Sequence, residues 1–334
     1  MPALAVADAL RAEGAEVSFV GGERAELKLI PAAGYALHQL TVKPLPRRRP
    51  VAAASAAAAD GAAVLAAVRL LGAMRPSAAL GAGGYVAAPV GFAAALKRIP
   101  LVLMEADSHL GLANRMLAPL AARVCLAFEI EGRSGSRYVV TGRPVPPPAS
   151  DRDAARARFG VGPGELFVVV FGGSQGARSV NHAAVEAFAG ARFRVLHAAG
   201  ERQVRELVTP GSHYELRGYI ADFGEALLAA DLVVARAGGS IFEIAAHGRP
   251  AVLIPYPHAT ADHQATNARH MERAGAAIVI EDGELTPARL AQEVGRLLAD
   301  PTRLQAMARA SAELAKPDAA AVIAGEVLRA ARDG

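Results

Sequence analysis

The stretch Leu166–Asn181, LFVVVFGGSQGARSVN, carries the strongest chemical signal in the chain. An apolar strand runs into Gly172, Gly173, Ser174, Gln175 and Gly176, and then into a helix. Glycines let a backbone approach a ligand closely, and a helix start offers free N–H groups and a positive dipole end to an anion. Ser174 adds a hydroxyl donor. No lysine follows the last glycine and the spacing is not G-x-G-x-x-G, so this is neither a Walker loop nor a dinucleotide fingerprint. Standing alone, it could be no more than a tight β–α turn.

It does not stand alone. In Ala235–Ala268, ARAGGSIFEIAAHGRPAVLIPYPHATADHQATNA, a strand carrying Arg236 ends in Gly238, Gly239 and Ser240 at a second helix start. Glu243 falls in the first turn of that helix, where a carboxylate is stabilised and could accept two hydroxyl hydrogen bonds from a ribose. An ordinary first-turn glutamate is the alternative. Beyond Pro255, the polar run Asp262, His263, Gln264 and Asn267 opens a further helix. Mixed donors and acceptors without metal-ligand spacing suit a sugar better than a metal.

The first half holds weaker candidates. GAGGYVAAPVG (Gly81–Gly91) follows a strand with Gly83, Gly84 and Tyr85, and its backbone N–H groups could face a diphosphate. MEADSHLGLANR (Met104–Arg115) brings Glu105, Asp107, His109 and Asn114 close together in sequence.

The elements that position these groups alternate between β and α. Strands are expected at Val17–Val20, Ala78–Leu80, Leu101–Met104, Val124–Ala127 and Tyr138–Thr141, with helices at Ala52–Met74, Pro89–Leu96 and Leu112–Leu120. A helix from Pro2 capped by Gly14 precedes them. The proline-rich Thr141–Ser150 reads as a linker. A second series follows, with strands at Leu166–Phe171, Arg194–His197, Tyr214–Arg217, Leu232–Ala235, Ala251–Ile254 and Ala277–Ile280. Its helices are expected at Ala177–Phe188, Glu201–Val208, Gly224–Ala230, Ser240–His247, Asp262–Ala274 and Pro287–Leu298. A last helix, Asp318–Ala331, could return to the first domain. The pattern implies an α/β protein with two doubly wound, Rossmann-like domains, and substrates in a central cleft at the carboxyl ends of the strands. The domains span 1–143 and 144–317, with 318–334 packing back on the first.

Composition agrees. The 334 residues are 52% hydrophobic, much of it alanine, and 5% aromatic. The single cysteine, Cys125, excludes an internal disulfide and a cysteine-based zinc site. The Ala-rich Val51–Val68 is interrupted by Asp60 and Gly61 and reads as a soluble helix, and the first residues lack a secretory signal pattern. A net charge of +4 is only mildly basic, and no nucleic-acid partner is expected. Basic residues gather in KPLPRRRP, Lys43–Pro50, which suits anionic lipid headgroups or a solvated loop.

Together, R-A-G…E…G-R-P…P…D-H-Q-x-x-N-A, GGSQGARSVN and GAGGYVAAPVG resemble the MurG family of GT-B glycosyltransferases over essentially the whole chain. The resemblance implies inverting transfer of N-acetylglucosamine from UDP-N-acetylglucosamine to undecaprenyl-linked lipid I, forming lipid II on the inner face of the cytoplasmic membrane. It implies no cofactor beyond the donor substrate and no metal. Ser174 and Gly238–Ser240 would hold the diphosphate, Glu243 the ribose, and His263 and Gln264 the sugar hydroxyls. Gly173, Gln175, Gly176, Arg236 and Asn267 would complete the donor site, with Arg143 on the nucleotide side of the linker. Gly83, Gly84, Tyr85, Glu105 and Asn114 would face the acceptor. Three departures stand out: Glu105-Ala106-Asp107 replaces Glu-Gln-Asn, Pro146 stands where some members carry arginine, and Arg236 to Glu243 is one residue short. Another GT-B glycolipid transferase, or a UDP-sugar-binding protein with impaired catalysis, are the alternatives.

Inversion by direct attack needs a general base. The family carries a histidine-bearing glycine loop just before the segment matching Met1–Ala9. MPALAVADAL begins inside a β–α–β unit, so a further strand and loop are expected to be encoded upstream. Within the chain, Glu105, Asp107 and His109 are the candidates.

Overall fold

The computed structural model describes residues 2–23, 26–42, 50–173, 176–259 and 262–334, with the side chains of 50–60 left out. The chain divides into two compact units, Met1–Val145 with Lys316–Gly334, and Pro146–Ala315.

The first unit opens with α1 (Pro2–Ala12), which Gly14 ends at φ +83° while its N–H bonds the Arg11 carbonyl at 3.0 Å. There follow β1 (Ser18–Gly21), α2 (Glu26–Ala32), β2 (Ala36–Gln39), α3 (Pro50–Met74), β3 (Ala79–Gly81) and α4 (Ala87–Leu96). Then come β4 (Leu101–Glu105), α5 (Leu112–Leu117) with a 3-10 turn at Ala118–Leu120, β5 (Arg123–Leu126) and β6 (Tyr138–Val140). All ladders are parallel. The strands form two sheets rather than the single one expected, β1-β2 and β3-β4-β5-β6, because β1 and β3 do not pair among the described residues. The final helix lies in this unit, where its Ile323, Ala324 and Val327 join Val6 and Leu10 of α1 over Val102, Met104 and Cys125.

The second unit contains α6 (Arg152–Arg158), β7 (Phe167–Phe171), α7 (Arg178–Ala187), β8 (Arg194–Ala198), β9 (Tyr214–Arg217), α8 (Phe223–Ala229) and β10 (Leu232–Ala235). It continues through α9 (Ile241–Ala246), β11 (Ala251–Leu253), α10 (His263–Arg273), β12 (Ala277–Val279), α11 (Pro287–Leu298) and α12 (Pro301–Glu313), and α13 (Ala319–Asp333) is the helix returned to the first unit. Its six parallel strands are ordered β12-β11-β10-β7-β8-β9. The central strands β7 and β10 are buried along their whole length, as apolar runs covered on both faces must be.

The helix expected at Glu201–Val208 is only a 3-10 turn, Val204–Glu206. The segment has no apolar stripe to bury, and Val208 is 79% exposed. The short α2, β2 and α6, and the alanine-rich α12, were not anticipated.

Candidate functional site

Parallel pairing brings the loops after β7, β10 and β11 to one end of the second unit's sheet. After β7, Gly173 (φ +90°) and Gly176 (φ +77°) both take left-handed backbone, and the Gly176 N–H closes the turn on the Gly173 carbonyl at 2.9 Å. A Cβ on Gly172 would collide with Ala177, and one on Gly176 with the Ala199 carbonyl. The helix α7 then begins behind Ala177, which carries no capping group. Ser174 and Gln175 lie outside the described residues.

After β10, the Ile241 N–H bonds the Gly238 carbonyl at 3.2 Å, and Ser240 at the cap of α9 makes no side-chain capping bond. Glu243 sits in the first turn, as expected. After β11 the chain reaches α10 through Asp262, whose φ of +54° is the left-handed conformation that asparagine and aspartate tolerate best. Gln264 Oε1 accepts the Tyr256 N–H at 3.0 Å, while its Nε2 lies 3.9 Å from where a Cβ on Gly238 would stand. Asn267, 1% exposed, donates from Nδ2 to the Ala237 carbonyl at 2.9 Å, and its Oδ1 is buried without a hydrogen-bond partner. Asn267 thus ties the first turns of α10 to Ala237, just before the Gly238–Ser240 turn, while Gln264 ties the start of α10 to Tyr256 after β11.

Arg236 is bonded within the second unit. Its Nη1 donates to the Ile254 and Pro255 carbonyls at 3.2 and 3.0 Å and pairs with Asp282 Oδ1 at 2.7 Å, and its Nη2 donates to Ser179 Oγ at 2.8 Å. With both terminal nitrogens engaged from inside the protein, the guanidinium clamps the end of β11 and α7 together.

In the first unit, Gly83 and Gly84 are successive left-handed residues with open space around both, and the Tyr85 hydroxyl lies 2.8 Å from where a Cβ on Gly22 would stand. Glu105 is engaged within its own loop. Its Oε1 accepts the Asp107 N–H at 3.1 Å, and its Oε2 accepts the Gly111 N–H at 2.8 Å and Asn114 Nδ2 at 2.9 Å. The carboxylate is the anchor of the loop that holds Asp107 and His109. Asn114 is committed to the same job, donating also to the Met104 carbonyl at 3.1 Å. Arg143 donates to the Ala106 carbonyl at 3.2 Å and lies 3.9 Å from the half-exposed Asp107 carboxylate, so it braces this loop.

Two features escaped the sequence reading. Tyr219, in the loop after β9 at the same sheet end, is a 63% exposed aromatic ring, with no sequence pattern to single it out. Beneath the glycine loop, Asn181, His197 and Tyr214 form a buried polar chain, signalled by one histidine inside an apolar strand. Among the described residues, no cluster of histidine, cysteine, aspartate or glutamate could hold a metal ion.

Comparison with known proteins follows the same division. The model described as glycosyltransferase family 28 N-terminal domain matches residues 1–126, and that described as its C-terminal domain matches residues 167–323. The chain is 40% identical to the UDP-N-acetylglucosamine–N-acetylmuramyl-(pentapeptide) pyrophosphoryl-undecaprenol N-acetylglucosamine transferase of Moorella thermoacetica, covering 100% of this chain and 96% of that protein. It is likewise 40% identical to the Salinibacter ruber transferase of the same name, covering 98% and 92%. Among solved structures, Acinetobacter baumannii MurG superposes with a TM-score of 0.80 at 28% identity, over 98% of this chain and 95% of that one. A UDP-N-acetylglucosamine 2-epimerase from Listeria monocytogenes, at 14% identity and a TM-score of 0.72 over 99% and 92%, shares the fold alone.

Proposed function

This chain belongs to the MurG family within glycosyltransferase family 28, and from that membership we infer that it transfers N-acetylglucosamine from UDP-N-acetylglucosamine to lipid I, forming lipid II for peptidoglycan. It is a hexosyltransferase with the GT-B fold of two Rossmann-like domains.

One observation supports the assignment of the donor site: Asn267 of the helix that begins at His263 and Gln264 holds the Ala237 carbonyl just before the Gly238–Ser240 turn, at the same sheet end as the glycine loop after β7. In this reading the N–H groups of Gly173, Gly176 and Ala177 and that of Ser240 receive the diphosphate, and Ser174 would contribute its hydroxyl. They favour the charge that grows as UDP leaves, which is where fixed donors accelerate the reaction. Glu243 takes the ribose hydroxyls, and His263 and Gln264 those of the sugar. Tyr219 offers its ring face to the base. The acceptor 4-hydroxyl attacks the anomeric carbon directly, so the configuration inverts and no covalent sugar–enzyme bond forms. With Glu105 engaged in its loop, Asp107 and His109 are the in-chain groups left to take the hydroxyl proton. This reading calls for no cofactor besides the donor.

Among the described residues no helix is long and apolar enough to cross a membrane. A peripheral contact with the inner face of the membrane is supported by Leu112, Met116 and Leu120, exposed at successive turns next to Arg115. At the end of the neighbouring α4, Leu96 and the following Lys97 and Arg98 are also exposed. The basic run 43–49 lies outside the described residues.

Incubating the purified chain with UDP-N-acetylglucosamine and a lipid I analogue tests the reading. Formation of the disaccharide lipid, undiminished by EDTA, supports it. Donor hydrolysis or epimerisation without transfer would overturn it.

A further inference from the structure

His197 lies within β8 with no exposed surface, and the reaction described above gives it no part. Its Nδ1 is 2.7 Å from the Tyr214 hydroxyl and its Nε2 is 3.0 Å from Asn181 Oδ1. The direction of each bond follows from the far end of the chain. Asn181 Nδ2 donates to the Ala199 carbonyl at 2.8 Å, a group that can only accept, and to Gln203 Oε1 at 2.9 Å. Asn181 therefore turns its oxygen to the ring, so Nε2 must carry the proton. The bare Nδ1 then accepts from the Tyr214 O–H. The bonds run one way, from Tyr214 through His197 and Asn181 to Ala199 and Gln203, and each donor meets an acceptor. Burial keeps the ring neutral, as this arrangement requires, by lowering its pKa to about 4.

The far end of this chain is the glycine loop. Asn181 stands in the first turns of α7, and Ala199 and Gln203 follow β8. Between them sits Gly176, where a Cβ would collide with that same Ala199 carbonyl and come within 3.0 Å of Gln203 Nε2. The carbonyl that Asn181 holds is thus the seat on which the loop rests.

We propose that His197 is a positioning residue for donor binding: by fixing the orientation of Asn181, it sets the seat of Gly176 and so the aim of the loop's N–H groups. It touches no substrate. The proposal rests on the reading of Gly172–Gly176 as the donor-diphosphate cradle.

Nitrogen NMR of the imidazole in the wild-type protein should show Nε2 protonated and Nδ1 bare at about pH 7. A ring protonated on Nδ1, or on both nitrogens, would overturn the proposal, and this measurement needs no variant to fold. Calorimetry with UDP should show His197→Leu binding about tenfold more weakly, the size of one lost buried hydrogen bond. Its KM for the donor should rise likewise, while kcat at saturating donor stays within about twofold of wild type. His197→Gln, whose amide nitrogen can still donate to Asn181 Oδ1, should restore most of the affinity. Wild-type affinity for UDP in His197→Leu would refute the positioning role alone. A wild-type protein that binds no UDP would instead refute the cradle itself, and this proposal with it.

Discussion

Asn267 donates from Nδ2 to the Ala237 carbonyl at 2.9 Å, joining the first turns of α10 to the chain between β10 and α9. Replacing it with leucine keeps the branching of the side chain but leaves that buried carbonyl unpaired, at a cost of about 1–3 kcal/mol. The same change should raise the donor KM about tenfold, because the Gly238–Ser240 turn loses its tie. Urea unfolding and steady-state kinetics on Asn267→Leu check both, and an unchanged KM would separate this bond from the donor site.

Glu105→Gln tests whether the carboxylate anchors a loop or moves a proton. As an anchor receiving three donors, its loss should cost about 1–3 kcal/mol in stability. The acidic limb of the pH–rate profile should survive in the residual activity, since the base lies elsewhere. Disappearance of that limb would make Glu105 the base.

Arg236→Met removes a guanidinium held by two carbonyls, Ser179 and Asp282. Leaving those buried acceptors alone should destabilise the second unit by about 3 kcal/mol, near the lower end for breaking a buried pair. A denaturation midpoint unchanged from wild type would contradict the clamp.

The fold explains why these roles were only half legible in sequence. β7 and β10 announced themselves as continuous apolar runs, and the glycines after them as places where backbone must turn tightly. Glu243 could be put in a first turn by counting from Ser240. Arg236 and Glu105 could not be read this way. The partners of Arg236, Asp282 and Ser179, are fixed by tertiary packing, and those of Glu105, Gly111 and Asn114, by the folding of a loop that has no periodic pattern. His197 stands among apolar neighbours in β8, and only the structure shows what its ring meets. The short α2 and β2 bury too few side chains for periodicity to reveal them.

Acid should loosen the second unit before it alters surface charges generally. His197 keeps a pKa of about 4 in the fold because of desolvation, against 6.5 for an ordinary histidine. Between these values the unfolded chain binds more protons, so stability is complete above about pH 6.5 and falls as pH drops towards 4, by roughly 3 kcal/mol in all. His247 and His270, also lowered chiefly by burial, act in the same direction. Stability measured by urea from about pH 7 to 4 should fall less in His197→Gln than in wild type.

Cys125 reports on the first unit. It is fully buried beneath α1 and α13, and burial pushes its thiol up to about 12. It should resist thiol reagents in the native protein and react at the rate of unfolding. Rapid native labelling would contradict this packing.

The donor site itself is tested most directly by NMR titration of the protein with UDP-N-acetylglucosamine. Amide shifts are expected to concentrate at Gly173, Gly176, Gly239, Ser240 and Gln264, with saturation at a single affinity. Saturable binding that leaves those amides unmoved would contradict the assignment.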